Sequence, residues 1–221
     1  RAPQPAASSP GPAPARRAAL AGTPAPPGTW MLGQLKLTAC ELGRRNSGAS
    51  TAAWCGKLKV PENRAQADSR KIELNLAVVR SDAAVPRPDM VVMLAGGPGQ
   101  AATRDFADTR WYQGLLKDHN VLLLDQRGTG DSHPLDCPKV EAALKKDAPA
   151  ADELDPERIR KNVADCLAEV KQRADPRFYT TTDAVADLEA VRQALGAPPL
   201  DLIGVSYGTR MAQQYLRAHP D

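Results

Sequence analysis

The residues best equipped by type and spacing for chemistry are Gly204-Val205-Ser206-Tyr207-Gly208. An apolar run, Leu200–Val205, leads into them, and a helical pattern, Thr209–Ala218, follows. A serine between two glycines at a strand-to-helix turn is the pattern of a nucleophile elbow. The turn is so tight that the serine must adopt a strained backbone conformation, and side chains at 204 and 208 would strike neighbouring backbone. The helix N-terminus behind Ser206 offers unpaired N–H groups to an oxygen on which negative charge develops. The expected chemistry is acyl transfer to Ser206, with the Tyr207 N–H as one oxyanion donor. The competing structural reading is a glycine-rich turn with a capping serine.

A second segment, Gly96-Gly97-Pro98-Gly99-Gln100, directly follows the apolar run Met90–Ala95. A glycine-rich loop after an early strand can bring a backbone N–H to a reacting carbonyl, which makes Gly97 the second oxyanion donor. Gly96, Pro98 and Gly99 shape that loop, as Gly204 and Gly208 shape the serine turn. Gly97-x-Gly99-x-x-Ala102 also fits a GxGxxA dinucleotide fingerprint, with Asp125 ending the next apolar run. Pro98 lacks an N–H in the loop that would cradle a pyrophosphate, and that reading leaves the Ser206 turn unexplained. No organic cofactor is therefore expected.

A third segment, Asp125-Gln126-Arg127-Gly128-Thr129-Gly130-Asp131-Ser132, follows Val121–Leu124. Its glycines allow a sharp exit from a sheet, and Asp125 and Arg127 are expected to pair and fix the turn. Both are assigned structural roles. Asp125 is not the acid of a triad, because in elbow enzymes the acid follows the serine in chain order. Fifteen residues follow Ser206, and they hold one histidine, His219, and one acid, Asp221. His219 lies roughly 20 Å along the helix from Ser206 at 1.5 Å per residue, out of its reach. His119 and His133 precede the serine and are read as surface or structural residues. The sequence thus supplies a nucleophile and an oxyanion hole without a base, and Ser206 alone is a weak nucleophile.

The elements that must position these residues can be read from hydrophobic periodicity. Ile72–Arg80 alternates, with Ile72, Leu74, Leu76 and Val78 on one face, as in a half-exposed antiparallel strand. A short strand is also expected at Leu58–Val60. Met90–Ala95, Val121–Asp125 and Leu200–Val205 are continuous apolar runs, expected to be parallel strands covered on both faces. Helices are expected over Phe106–Lys117, Pro156–Gln172, Thr182–Leu195 and Tyr207–Ala218. In the second of these Ile159, Val163, Cys166, Leu167 and Val170 share a face, and in the third Thr181 or Thr182 is the expected cap. Strands alternating with helices predict an α/β fold with a mainly parallel sheet.

Composition narrows the function classes. The chain has 221 residues, 42% of them hydrophobic, and a net charge of +3 spread along its length. Neither nucleic acid nor an anionic membrane is implied as a partner. The longest apolar runs are too short to span a bilayer. Residues 1–28 hold eight of the twenty prolines and read as a disordered Pro/Ala-rich leader. The four cysteines contain no CxxC and have no histidine at ligand spacing, so no metal is expected. Three pairings are open. Cys40–Cys55 and Cys137–Cys166 are favoured, since each closes a short local loop, and they imply an oxidising compartment.

Taken together, GGPGQ, DQRGTGDS and GVSYG resemble the proline iminopeptidase branch of the α/β-hydrolases, and more closely its secreted tripeptidyl-aminopeptidase-like relatives. Cys55–Pro61 and Thr181–Glu189 are similar to the corresponding stretches of that group, so the resemblance covers roughly residues 38–221. One departure is Ala95, where the family often has histidine before GGPG. The resemblance implies an α/β-hydrolase fold, a mostly parallel sheet with flanking helices, truncated after the nucleophile helix. It implies that 29–221 is the N-terminal part of the hydrolase domain, with the lid, acid and histidine beyond it. It also implies a secreted or periplasmic serine exopeptidase that acts on peptides with a free N-terminus. This chain alone would be inactive and would need the remainder of the hydrolase chain or a completing partner. An esterase of the same fold and a non-catalytic hydrolase-like binding module are the alternatives.

Overall fold

The computed structural model describes residues 23–24, 28–43, 50–147 and 155–220. The expected leader lies outside these residues apart from Thr23, Pro24 and Gly28, and Asp221 also lies outside them. Eight strands form one sheet: β1 (Thr23–Pro24), β2 (Thr29–Leu32), β3 (Leu35–Gly43), β4 (Ser50–Pro61), β5 (Lys71–Val79), β6 (Met90–Leu94), β7 (Asn120–Leu124) and β8 (Leu200–Gly204). Their spatial order is β1-β2-β3-β4-β5-β7-β6-β8. The helices are α1 (Ala102–Asp105), α2 (Pro138–Asp147), α3 (Pro156–Val170), α4 (Thr181–Ala194) and α5 (Tyr207–Ala218). No helix among the described residues is long and apolar enough to cross a membrane.

The sheet is mixed rather than mostly parallel. β1 to β5 form an antiparallel meander, and β5 joins β7 antiparallel with Leu76 opposite Leu124. Only β7, β6 and β8 run parallel, as their continuous apolar sequences predicted. The meander strands β2 and β3 are not expected from the sequence. β4 is far longer than the Leu58–Val60 run, because its first half, Ser50–Cys55, pairs with β3 and its second, Trp54–Pro61, pairs with β5. β6 and β7 are buried throughout. β8 is not covered on both faces: among the described residues it pairs with β6 alone and leaves Asp201 and Ile203 exposed at the sheet edge.

Alternation along the central strands creates two cores. Met90, Val92, Leu94, Leu122 and Leu124 point to the face covered by α4 and α5, where Leu188, Val191, Leu195, Met211 and Tyr215 meet them. Val91, Met93, Val121 and Leu123 point to the opposite face, against Phe106, Tyr112 and Leu116. The helix expected over Phe106–Lys117 is not formed. Two single 3-10 turns, Thr109–Trp111 and Leu115–Lys117, replace it. Asp108 turns its carboxylate onto the Arg110 N–H at 3.0 Å and starts the first turn, and the backbone leaves helical geometry at Tyr112, with φ −139°, before the second.

α4 starts one residue earlier than expected. Thr180 is its cap and forms a reciprocal capping box with Asp183. α3 begins at Pro156 behind an Asp155 cap, but its apolar face is only partly used. Val170 is buried, whereas Ile159, Val163 and Leu167 are 44%, 62% and 41% exposed. The two disulfides are those favoured from loop length, Cys40–Cys55 between β3 and β4 and Cys137–Cys166 between α2 and α3.

α4 and α5 are joined by a polar contact above their apolar one. Glu189 takes two hydrogen bonds from Arg192, one from Gln193 and one of 2.7 Å from the Tyr215 hydroxyl of α5. Arg192 is the main reason the Glu189 carboxyl falls from its ordinary 4.5 to about 2. A carboxyl with a depressed pKa adds stability above the unfolded-state value and loses it as pH falls toward the folded one. The expected outcome is that Glu189→Gln lowers the urea midpoint at neutral pH, and that the gap to the parent closes between about pH 4.5 and 2.

Candidate active site

Ser206 sits at the junction of β8 and α5 with φ 52° and ψ −119°. This left-handed geometry is costly for a residue with a side chain, and it holds only where neighbours over-determine it. Those neighbours are identifiable. The Val205 N–H donates to Leu94 O of β6 at 3.0 Å, and the Gly208 N–H donates to Val205 O at 2.8 Å. The Thr209 N–H and hydroxyl both donate to Ser206 O, at 3.0 and 2.7 Å. The two motif glycines are required by close approach. A Cβ on Gly204 would lie 2.6 Å from Gly208 O, and one on Gly208 would collide with the carbonyl of Leu94. Ser206 itself is exposed.

The glycine loop after β6 packs directly on this turn. The point a Cβ on Gly96 would occupy is 3.0 Å from Val205 O, 3.1 Å from Ser206 Cβ and 2.9 Å from Gln100 Oε1. Gly96 is buried, while Gly97, Pro98, Gly99 and Gln100 are exposed. Gly97 has φ 100°, Gly99 has φ 109°, and the Gly97–Pro98 bond is cis. The structure therefore brings the two sequence-distant glycine motifs together around the Ser206 side chain. Tyr207 is the first residue of α5, where backbone N–H groups lack an intrahelical acceptor. Its hydroxyl lies 2.5 Å from Thr181 Oγ1 at the start of α4, a residue expected from the sequence as a helix cap and not as a partner of Tyr207.

Asp125 and Arg127 do not pair with each other. Asp125 is fully buried, and its carboxylate accepts from the Thr103 N–H and hydroxyl, Asn75 Nδ2 and the Asp131 N–H. Thr103 lies in the first turn of α1, immediately after the glycine loop, so Asp125 anchors that loop from β7. A carboxylate turned inward in this way presents nothing to a ribose, and α1 is only four residues long. Neither feature suits the dinucleotide reading. Arg127 makes a two-pronged ion pair with Asp187 of α4, Nε to Oδ2 at 2.6 Å and Nη2 to Oδ1 at 2.7 Å. Its remaining donors reach the carbonyls of Pro61, Glu62 and Phe178. Asp187 is in a stretch already notable in the sequence, but only folding shows that it is Arg127's partner.

The three histidines are placed elsewhere. His219 caps the far end of α5 against the Tyr215 ring. His133 stacks on Tyr179 and faces Arg173 O at 3.2 Å. His119 precedes β7, at the opposite end of the parallel strands from Ser206, 2.8 Å from Asp89. Among the described residues no hydrogen bond joins any of them to Ser206.

Two packing predictions follow from this geometry. Arg127→Met should cost about 3–5 kcal/mol in urea unfolding, because it leaves Asp187 buried without its main partner. The double variant Arg127→Met/Asp187→Leu should recover part of that loss. Gly208→Ala should cost about 2–4 kcal/mol, whereas Gly114→Ala, which meets nothing within 4 Å, should stay within about 0.5 kcal/mol.

The family model described as the alpha/beta hydrolase fold matches residues 89–221. The chain is 28% identical over 179 residues to a protein named tripeptidyl aminopeptidase from Streptomyces lividans, covering 76% of this chain and 33% of that one. It is 32% identical over 135 residues to a proline iminopeptidase of Aeromonas sobria, covering 59% and 25%. It is 29% identical over 204 residues to a protein of Mycobacterium tuberculosis named a serine protease, covering 86% and 38%. The chain spans about a third of the length of the curated relatives it matches.

Proposed function

This chain belongs to the α/β-hydrolase fold family, and on that premise we propose that Ser206 is the nucleophile of a serine exopeptidase. The observation that carries this reading is the strained Ser206 backbone at the β8–α5 turn, with the Gly96–Gln100 loop packed against its side chain. A structural cap does not need a left-handed serine, and Ser206 makes no side-chain cap hydrogen bond to α5. In the proposed reaction the Ser206 hydroxyl adds to the carbonyl of a peptide bond. The resulting oxyanion accepts from the Gly97 and Tyr207 N–H groups, the amine leaves, and water then releases the acyl group.

The substrate class is a peptide with a free N-terminus. The names of the relatives and the resemblance of the three sequence motifs to that family support this reading. Since His119, His133 and His219 are engaged away from Ser206, the base and its orienting acid are proposed to come from outside residues 28–220. The isolated chain is then expected to be inactive. The two disulfides fit a folding compartment that is oxidising, so the proposed location is secreted or periplasmic.

The test is labelling of the full-length natural protein with a fluorophosphonate, followed by peptide mapping. A single adduct on Ser206 is expected, and Ser206→Ala should lose it together with at least about 1,000-fold in turnover. Absence of an adduct on the folded full-length protein would refute the nucleophile assignment. Aminoacyl and tripeptidyl amides assayed beside simple esters decide the substrate class. Ester hydrolysis without amide hydrolysis would replace the exopeptidase reading with an esterase.

A further inference from the structure

A second cluster of ionisable groups lies at the other end of the parallel strands. Asp89 immediately precedes β6, His119 immediately precedes β7, and Asp201 is the second residue of β8. One ligand atom from each of the three lies within 4.8 Å of the others. The His119 ring stands between carboxylates, with Nε2 2.8 Å from Asp89 Oδ2 and Nδ1 2.7 Å from Asp118 Oδ1. The Nδ1 approach is close but not aligned as a hydrogen bond. Two buried side-chain polar atoms among the described residues lack a hydrogen-bond partner, and they belong to neighbouring residues here: His119 Nδ1 and Asn120 Nδ2. Asn120 is 1% exposed, and its other side-chain atom, Oδ1, accepts from the Ser81 N–H at 3.0 Å.

We propose that Asp89, His119 and Asp201 bind one divalent cation of the zinc class, through His119 Nε2 and one oxygen from each aspartate, with water completing the shell. One imidazole and two carboxylates form a donor set such cations accept. Asp118 Oδ1, 2.7 Å from His119 Nδ1, stands where a small side-chain rotation would make it the outer carboxylate that orients a metal-bound imidazole. The cluster gathers acidic groups around one imidazole. The cation facing them is Arg87, 3.6 Å from Asp89 and 3.8 Å from Asp118, on a side chain that is mostly in solvent. Asp89 and Asp201 also bond to each other side chain to side chain, and a dication bound by both would take the place of that contact.

The three ligands come from the starts of three different strands, so no sequence spacing announces them. Bound metal would tie the edge strand β8 to β6 and β7 at the end remote from Ser206. The role is structural, and it stands independently of the exopeptidase proposal.

The experiment is calorimetric titration of zinc chloride into the metal-free, tag-free full-length protein, with thermal unfolding alongside. One saturable site and a rise in Tm of roughly 3 °C or more at saturation are expected. His119→Gln and Asp201→Asn should each weaken binding by at least about tenfold. Asp201→Asn removes a like charge from an exposed position and should stay folded by circular dichroism. The proposal is overturned if the parent protein shows no saturable zinc binding, or if binding is unchanged in both variants.

Discussion

The buried ion pair between Arg127 and Asp187 is the constraint on which the arrangement of the site depends. Both side chains are almost wholly removed from water. An unpaired charge in such a place costs several kcal/mol, so the guanidinium is tolerable only when each donor finds an acceptor. Those acceptors come from the end of β4, the turn before α4, and α4 itself. Burial would lower the Arg127 pKa, but the bonds to Asp187 and the nearby Asp183 charge outweigh it and hold the group charged. Arg64 reaches the same Asp187 oxygen from the solvent side at 2.5 Å. Glu62, whose carbonyl serves Arg127, uses its own carboxylate to hold the Asp175 N–H and the Tyr179 hydroxyl. The network sets where α4 lies against the sheet. α4 then holds α5 through Thr181–Tyr207 and Glu189–Tyr215, and α5 begins directly after Ser206.

Asp125 does for the glycine loop what Arg127 does for α4. It leaves β7 fully buried and spends its carboxylate on Thr103 at the start of α1, on Asn75 of β5 and on the turn at Asp131. Ser132 closes the turn by donating to Asp125 O at 2.6 Å and accepting from the Asn75 N–H at 2.7 Å. One short segment of eight residues therefore fixes two neighbours of the site from opposite sides. Asp125 fixes the loop that lies over Ser206, and Arg127 fixes the helix that backs it.

The sheet explains why the strain at Ser206 can be sustained. β6 lies between β7 and β8, is buried throughout, and its end carbonyl at Leu94 receives the Val205 N–H just before the turn. Strain at one residue persists when rigid, well-packed elements meet there. β8 is less protected: it has one strand neighbour among the described residues, and Val205 and Ile203 remain exposed beside the turn. The exposed stripe on α3 is a second apolar surface left uncovered by the described residues. Such patches are where further protein surface is commonly accommodated.

Much of the site was legible in the sequence because it is encoded locally. The glycines at 204 and 208 are demanded by backbone contacts within a few residues, and the flanking strand and helix carry their own periodicities. The parallel strands β6, β7 and β8, the helices α3, α4 and α5, and both cysteine pairings could be read for the same reason. The antiparallel meander was largely invisible, since β2 and β3 are stabilised by cross-strand partners rather than by any strong pattern of their own. The Phe106–Lys117 stretch misled because its apolar spacing suits a helix, while the Asp108 side chain favours a short turn. Partner choice was beyond local reading altogether. Asp125 and Arg127 are two residues apart and oppositely charged, yet the fold sends one toward Thr103 and the other toward Asp187. A buried charge is satisfied by whichever elements the tertiary structure brings around it. The sequence by itself thus determined the Ser206 turn and the glycine loop, while only the tertiary structure decided which distant residues hold them in place.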